Sequence, residues 1–140
     1  MPFPIKNISK IILTNWIHLL GFYVFLETSS IIYLIVSRGF NDNWPSTIMG
    51  LILGIPFLML SYGLLFLLSF YLLIIMLDFI LFSITNNILF IMIIEWILIA
   101  PPFIYWGFKY NYWAWFVLLV AFITTQYIRG AKIMKLLIKA

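Results

Sequence analysis

Cysteine is missing from all 140 residues, and charge is nearly so. The first absence excludes disulfides, thiolate metal sites, iron–sulfur clusters and cysteine nucleophiles. The single histidine, His18, excludes a bis-histidine haem or a histidine-rich metal centre within one chain. Charged residues make up 9% of the sequence, against roughly 25% in soluble domains. So few charges cannot keep a water-facing surface dissolved. The sequence also has no P-loop, GxGxxG, GxSxG or HExxH pattern. No acids, histidines or serines cluster where a lipid-modifying site would need them. These absences point away from an enzyme, and no cofactor or metal is expected.

Hydrophobic residues fill 66% of the chain, and the mean hydropathy is +1.17. The solvent for such a chain is lipid, and the expected class is an all-α integral membrane protein with membrane lipids as its first partners. The net charge of +4 comes from basic residues gathered at the chain ends, a pattern of membrane topology and not of nucleic-acid binding.

The spacing of polar punctuation predicts one transmembrane domain over residues 1–140, with four spans at 11–37, 47–82, 88–107 and 112–128. A span needs about 20 apolar residues. The turn from Arg38 to Ser46 is rich in Gly, Asn and Asp, and Pro45 suits a helix start. The stretch 47–82 is too long for a simple crossing, since a straight helix of that length would measure roughly 54 Å. One long helix kinked at Pro56 is the favoured solution. An interfacial end near Asp78–Asn87, or a break at Ser61-Tyr62-Gly63, are the alternatives; that break has no polar loop. Pro101 and Pro102 predict a bend in the third span.

Basic residues decide orientation. Lys6, Lys10, Arg129, Lys132, Lys135 and Lys139 fall on the side of the chain ends, while only Arg38 and Lys109 fall opposite. Aromatics including Trp44, Trp106, Tyr110 and Trp113 gather on that opposite side. Both signals predict both ends inside. In the tail, Lys132, Lys135 and Lys139 share one helical face, with Ile133, Leu136 and Leu137 opposite. That is a short basic amphipathic helix suited to anionic lipid headgroups.

Glu95 and Glu27 fall within spans, where a charged group costs at least about 2.5–3.5 kcal/mol unless paired, protonated or facing a polar cavity. Counting helical rise places His18 at the depth of Glu95, with Asn15 on the same face and Thr124 and Thr125 level with them. This polar cluster reads either as a proton relay or as interhelical glue. Glu27 lies about half a turn round the helix from His18 and belongs to a different face. Asp78 falls near the inner interface, where a solvated helix end explains it. Gly50 and Gly54 form a GxxxG pattern that lets helix backbones approach closely.

Small size, the lack of an extramembrane domain and broad faces of Phe and Ile predict a non-catalytic subunit of a larger membrane complex, with other transmembrane subunits as partners. The alternative is a small homo-oligomeric transporter or channel using Glu95 and Glu27 for protons or cations. The Ile-, Phe-, Asn- and Lys-rich composition points to an AT-rich genome, and so to a bacterial or organellar inner membrane.

Overall fold

The computed structural model describes residues 5–38, 43–61 and 63–138, and every regular element among them is a helix. Helix α1 (Ile5–Ile12) passes through one 3-10 turn (Leu13–Asn15) into α2 (Trp16–Arg38). Then follow α3 (Trp44–Ser61), α4 (Leu64–Ile84), α5 (Ile88–Lys109) and α6 (Ala114–Ile138). Among the described residues, 5 helices are long and apolar enough to cross a membrane, the first running from Ile8 to Ser37. The chain is therefore an all-helical protein of the membrane class.

The long second stretch is two helices, not one kinked at Pro56, which sits inside α3. The backbone N–H of Gly63 donates to the carbonyl of Leu58 at 3.1 Å and closes the end of α3. A side chain at Gly63 would stand 2.8 Å from the Met59 carbonyl oxygen, so only glycine fits. This ending satisfies a helix terminus without any polar loop, which is why composition hides it. Helix α5 ends in a Schellman motif. Tyr112 donates to Gly107 and Asn111 to Phe108, both at 3.3 Å, with Asn111 at φ 47°. Asparagine tolerates that left-handed conformation. Pro101 and Pro102 lie inside α5.

The basic tail is no separate surface helix, because α6 continues through it to Ile138. Arg129, Gly130 and Ile133 are buried within the bundle and hold the tail there. Lys132 and Lys135 stay exposed, while Lys139 lies outside the described residues, as do turn residues 39–42.

Two core clusters define the run of the helices. Ile8, Ile11, Leu81, Phe82, Ile91 and Ile133 pack together, so α1, the end of α4, the start of α5 and the last turns of α6 meet at one end. Phe22, Phe70, Phe103 and Phe122 fill the middle. Beyond them Phe66 meets Trp115 at 5.3 Å and Trp106 at 6.3 Å, and Tyr33 stacks on Trp113 at 6.2 Å. Helix α4 thus starts in this far half and descends to the terminal end. Helix α3 begins where α2 stops and finishes at α4's first turn, so both of its ends belong to the far half. Helices α2 and α6 approach closely at Gly21, where an added Cβ would clash with Thr125 Cγ2 on α6.

Candidate functional site

Three charged side chains occupy positions of the buried stripes, where helical spacing calls for an apolar residue. On α4 the buried series is Phe70, Ile74, Asp78, Phe82; on α5 it is Ile91, Glu95, Ile99, Phe103. On α6, Arg129 continues the buried line of Phe122, Thr125 and Gln126 towards Ile133. Packing of these stripes brings Asp78, Glu95 and Arg129 into one layer between the aromatic middle and the aliphatic terminal cluster. All three are at most 1% exposed.

Arg129 organises the layer. Its Nη2 donates to both oxygens of Asp78, each at 2.5 Å. Its Nε donates to Thr14 Oγ1 at 3.0 Å and its Nη1 to Gln126 Oε1 at 3.3 Å. Asn15 Nδ2 adds a further hydrogen bond to Asp78 Oδ2 at 2.8 Å. Each guanidinium nitrogen therefore has an acceptor, and Asp78 is held from two sides. Charge-assisted bonds of this kind are the strong ones.

The 3-10 turn between α1 and α2 supplies Thr14 and Asn15. Thr14 donates to the Ile11 carbonyl at 2.6 Å, a local bond of the kind that tightens a helix. Tyr71 on α4 donates to the Asn15 carbonyl at 3.0 Å. The backbone irregularity inside the bundle is thus partly answered by a neighbouring helix, as a membrane interior demands.

Glu95 is placed differently. Its Oε2 lies 3.6 Å from Arg129 Nη1, close enough for attraction but beyond a hydrogen bond, and neither of its oxygens has a hydrogen-bond partner. His18 is fully buried, with Nδ1 2.7 Å from Thr125 Oγ1 and its ring against Phe70 and Phe122. The single hydroxyl hydrogen of Thr125 is directed at the Ala121 and Phe122 carbonyls of α6, so its oxygen accepts from His18 Nδ1. His18 Nε2 and Asn15 Oδ1 have no partner.

Sequence reasoning placed Glu95, His18, Asn15 and Thr125 at one depth, and the structure brings them into one layer. The expected contact of His18 with Glu95 is replaced by one with Thr125. Thr124 turns away and bonds the Val120 carbonyl at 2.8 Å. Asp78 and Arg129, which make the strongest contacts, were read as a solvated helix end and a topology signal. Their place on the stripes of Ile74 and Phe122 is the signal that reveals them.

Glu27 stands apart in the far half of α2, half-buried, with both oxygens shielded and without a partner. Among the described residues, Gly50 and Gly54 meet nothing within 4 Å of an added Cβ. Lys132 covers Trp16 at 5.0 Å. An apolar cavity of about 470 Å³ opens in the far half among Leu26, Ile55, Phe66, Trp113 and Leu118. No group of three or more metal-ligating side chains occurs among the described residues.

Chemically, the layer is a closed ionic lock of two carboxyls on one guanidinium, with the His18 imidazole beside it. Comparison with protein-family models, curated proteins and solved structures finds no match to this chain.

Proposed function

We propose that the chain is a small non-catalytic subunit of a larger membrane assembly, with α3 as the helix that joins its neighbours. The observation that carries this reading is the poor use of α3 within the chain. It contributes only Ile55 to the interior, while Met49, Leu53, Phe57 and Leu60 remain exposed. Lipid can cover such side chains. The open pair Gly50 and Gly54 is the more specific feature, because glycines four apart let another helix backbone approach.

In the same reading the chain crosses the membrane four times, with both ends inside. Support comes from α3 beginning and ending in the same half of the bundle, which leaves α2, α4, α5 and α6 as full crossings. At roughly 27 Å, α3 is also short for the ~30 Å hydrocarbon core. Arg129 leaves the count of inner basic residues because Asp78 neutralises it within the bundle. Lys6, Lys10, Lys132, Lys135 and Lys139 still outnumber Arg38 and Lys109.

The test is purification of the tagged protein in mild detergent. Other membrane subunits should co-purify in fixed ratio and be lost in a Gly54→Leu variant that remains folded. A lone homo-oligomer that carries ion flux in liposomes would instead establish the second reading, a small transporter or channel for protons or cations. That reading draws on the unpartnered oxygens of Glu95 and Glu27.

A further inference from the structure

We propose that Glu95 and Asp78 share one proton beside Arg129, so that the buried layer is a proton-binding site. The inference stands on charge and hydrogen-bond accounting, and holds whether or not α3 is covered by another subunit.

Two carboxyl groups and one guanidinium are sealed together, each at most 1% exposed. If both acids were ionised, their charge would exceed that of the guanidinium in a layer closed to bulk solvent. Burial of an uncompensated charge is strongly unfavourable, and a carboxyl so placed takes up a proton. The two acids are not equivalent. Asp78 accepts from Arg129 Nη2 and from Asn15 Nδ2. Glu95 accepts nothing within hydrogen-bond distance. The two acids flank one guanidinium, with Glu95 Oε2 3.6 Å from Arg129 Nη1 and Asp78 bonded to Nη2. Ionised carboxylates only accept, so Glu95 gains a donor of its own only when it carries a proton. A proton on Glu95 removes the excess charge and supplies the missing donor at once.

The surroundings agree. The groups facing Glu95 are Asp78 from α4 and Arg129 from α6. His18 from α2 shares Arg129 as its electrostatic neighbour. Its Nε2 and Asn15 Oδ1 are further buried atoms without partners, so the layer has fewer donors than acceptors. The ligand is a proton, and the site holds one per chain.

Infrared spectroscopy of the protein in lipid nanodiscs tests this. Glu27 and Glu95 are the only glutamates, so a Glu27→Gln chain grown with ¹³C-glutamate carries one labelled carboxyl. At neutral pH it should show one protonated carboxyl per chain, with a C=O band that shifts in D₂O. In a Glu27→Gln/Glu95→Gln chain no labelled carboxyl remains, and no unlabelled protonated carboxyl band should take its place, because the amide then supplies the donor beside Asp78 and Arg129. Subtracting the spectrum of Glu95→Gln from that of the wild type should reveal the same band without relying on the Glu27 substitution. Carboxylate bands alone at neutral pH, or a protonated band that survives in the doubly substituted chain, would overturn the proposal.

Discussion

Asp78 on α4 and Arg129 on α6 are 51 residues apart in sequence, yet one guanidinium nitrogen donates to both aspartate oxygens at 2.5 Å. The two sides of this pair are unequal. Replacing Arg129 with Met leaves two acids buried without a cation, and should destabilise the bundle by about 3–5 kcal/mol. Replacing Asp78 with Leu leaves Arg129 facing Glu95, already 3.6 Å away, and should cost less. The Asp78→Leu/Arg129→Met chain should lose less than the sum of the single losses. Denaturant titration of the four proteins in detergent micelles measures these differences. Equal, additive losses would mean that the pair is not coupled and Glu95 is no reserve counterion.

His18 provides a second coupling test. Its Nδ1 meets Thr125 Oγ1 at 2.7 Å, whereas Glu95 meets Arg129. His18→Phe and Thr125→Val should therefore be non-additive. The coupling should approach the ~0.6 kcal/mol average of interhelical side-chain bonds in membranes. His18→Phe and Glu95→Gln should add within experimental error. Coupling to Glu95 in place of Thr125 would contradict the geometry seen here.

Much of this arrangement was readable before any coordinates. Apolar length and polar turns located the helices, and helical rise brought His18, Asn15 and Glu95 to one level. Asp78 and Arg129 escaped because a charge near the end of an apolar run is usually solvated, and depth counting stops at that end. The spacing from Phe122 through Thr125 to Arg129 and Ile133 continues the buried stripe of α6 past its apolar stretch. Likewise Ile74, Asp78 and Phe82 are one stripe on α4. The end of α3 was hidden because a single backbone bond from Gly63 to Leu58 closes it, and no polar residue marks the place. Tyr62, beside it, lies outside the described residues.

The glycines separate internal packing from docking. At Gly21 an added Cβ meets Thr125 Cγ2 at 2.0 Å, so Gly21→Val should force α2 from α6 and lower thermal stability sharply. Gly54→Val meets nothing among the described residues, and the purified protein should melt as the wild type does. Its effect should appear only as lost co-purification of partner subunits. Scanning fluorimetry on both variants separates the two roles. A destabilised Gly54→Val chain would show that the pair serves internal packing after all.

The number of crossings has a direct chemical test because the chain has no native cysteine. Single cysteines at Lys6, Asn86 and Leu136 should stay unreactive to a membrane-impermeant maleimide until the membrane is permeabilised. Cysteines at Asp42 and Tyr110 should react from outside. This pattern follows if α3 turns back within the half where it began, leaving an even number of crossings. Were all five apolar helices to cross, the two chain ends would face opposite sides, and Leu136→Cys would react without permeabilisation while Lys6→Cys would not. The packing of Ile133 on Ile8, Ile11 and Leu81 opposes that outcome, because it ties the last turns of α6 to the same end as α1. Labelling of Leu136→Cys from outside, with Lys6→Cys protected, would require α6 to leave this cluster in the membrane, and the four-crossing arrangement would fall.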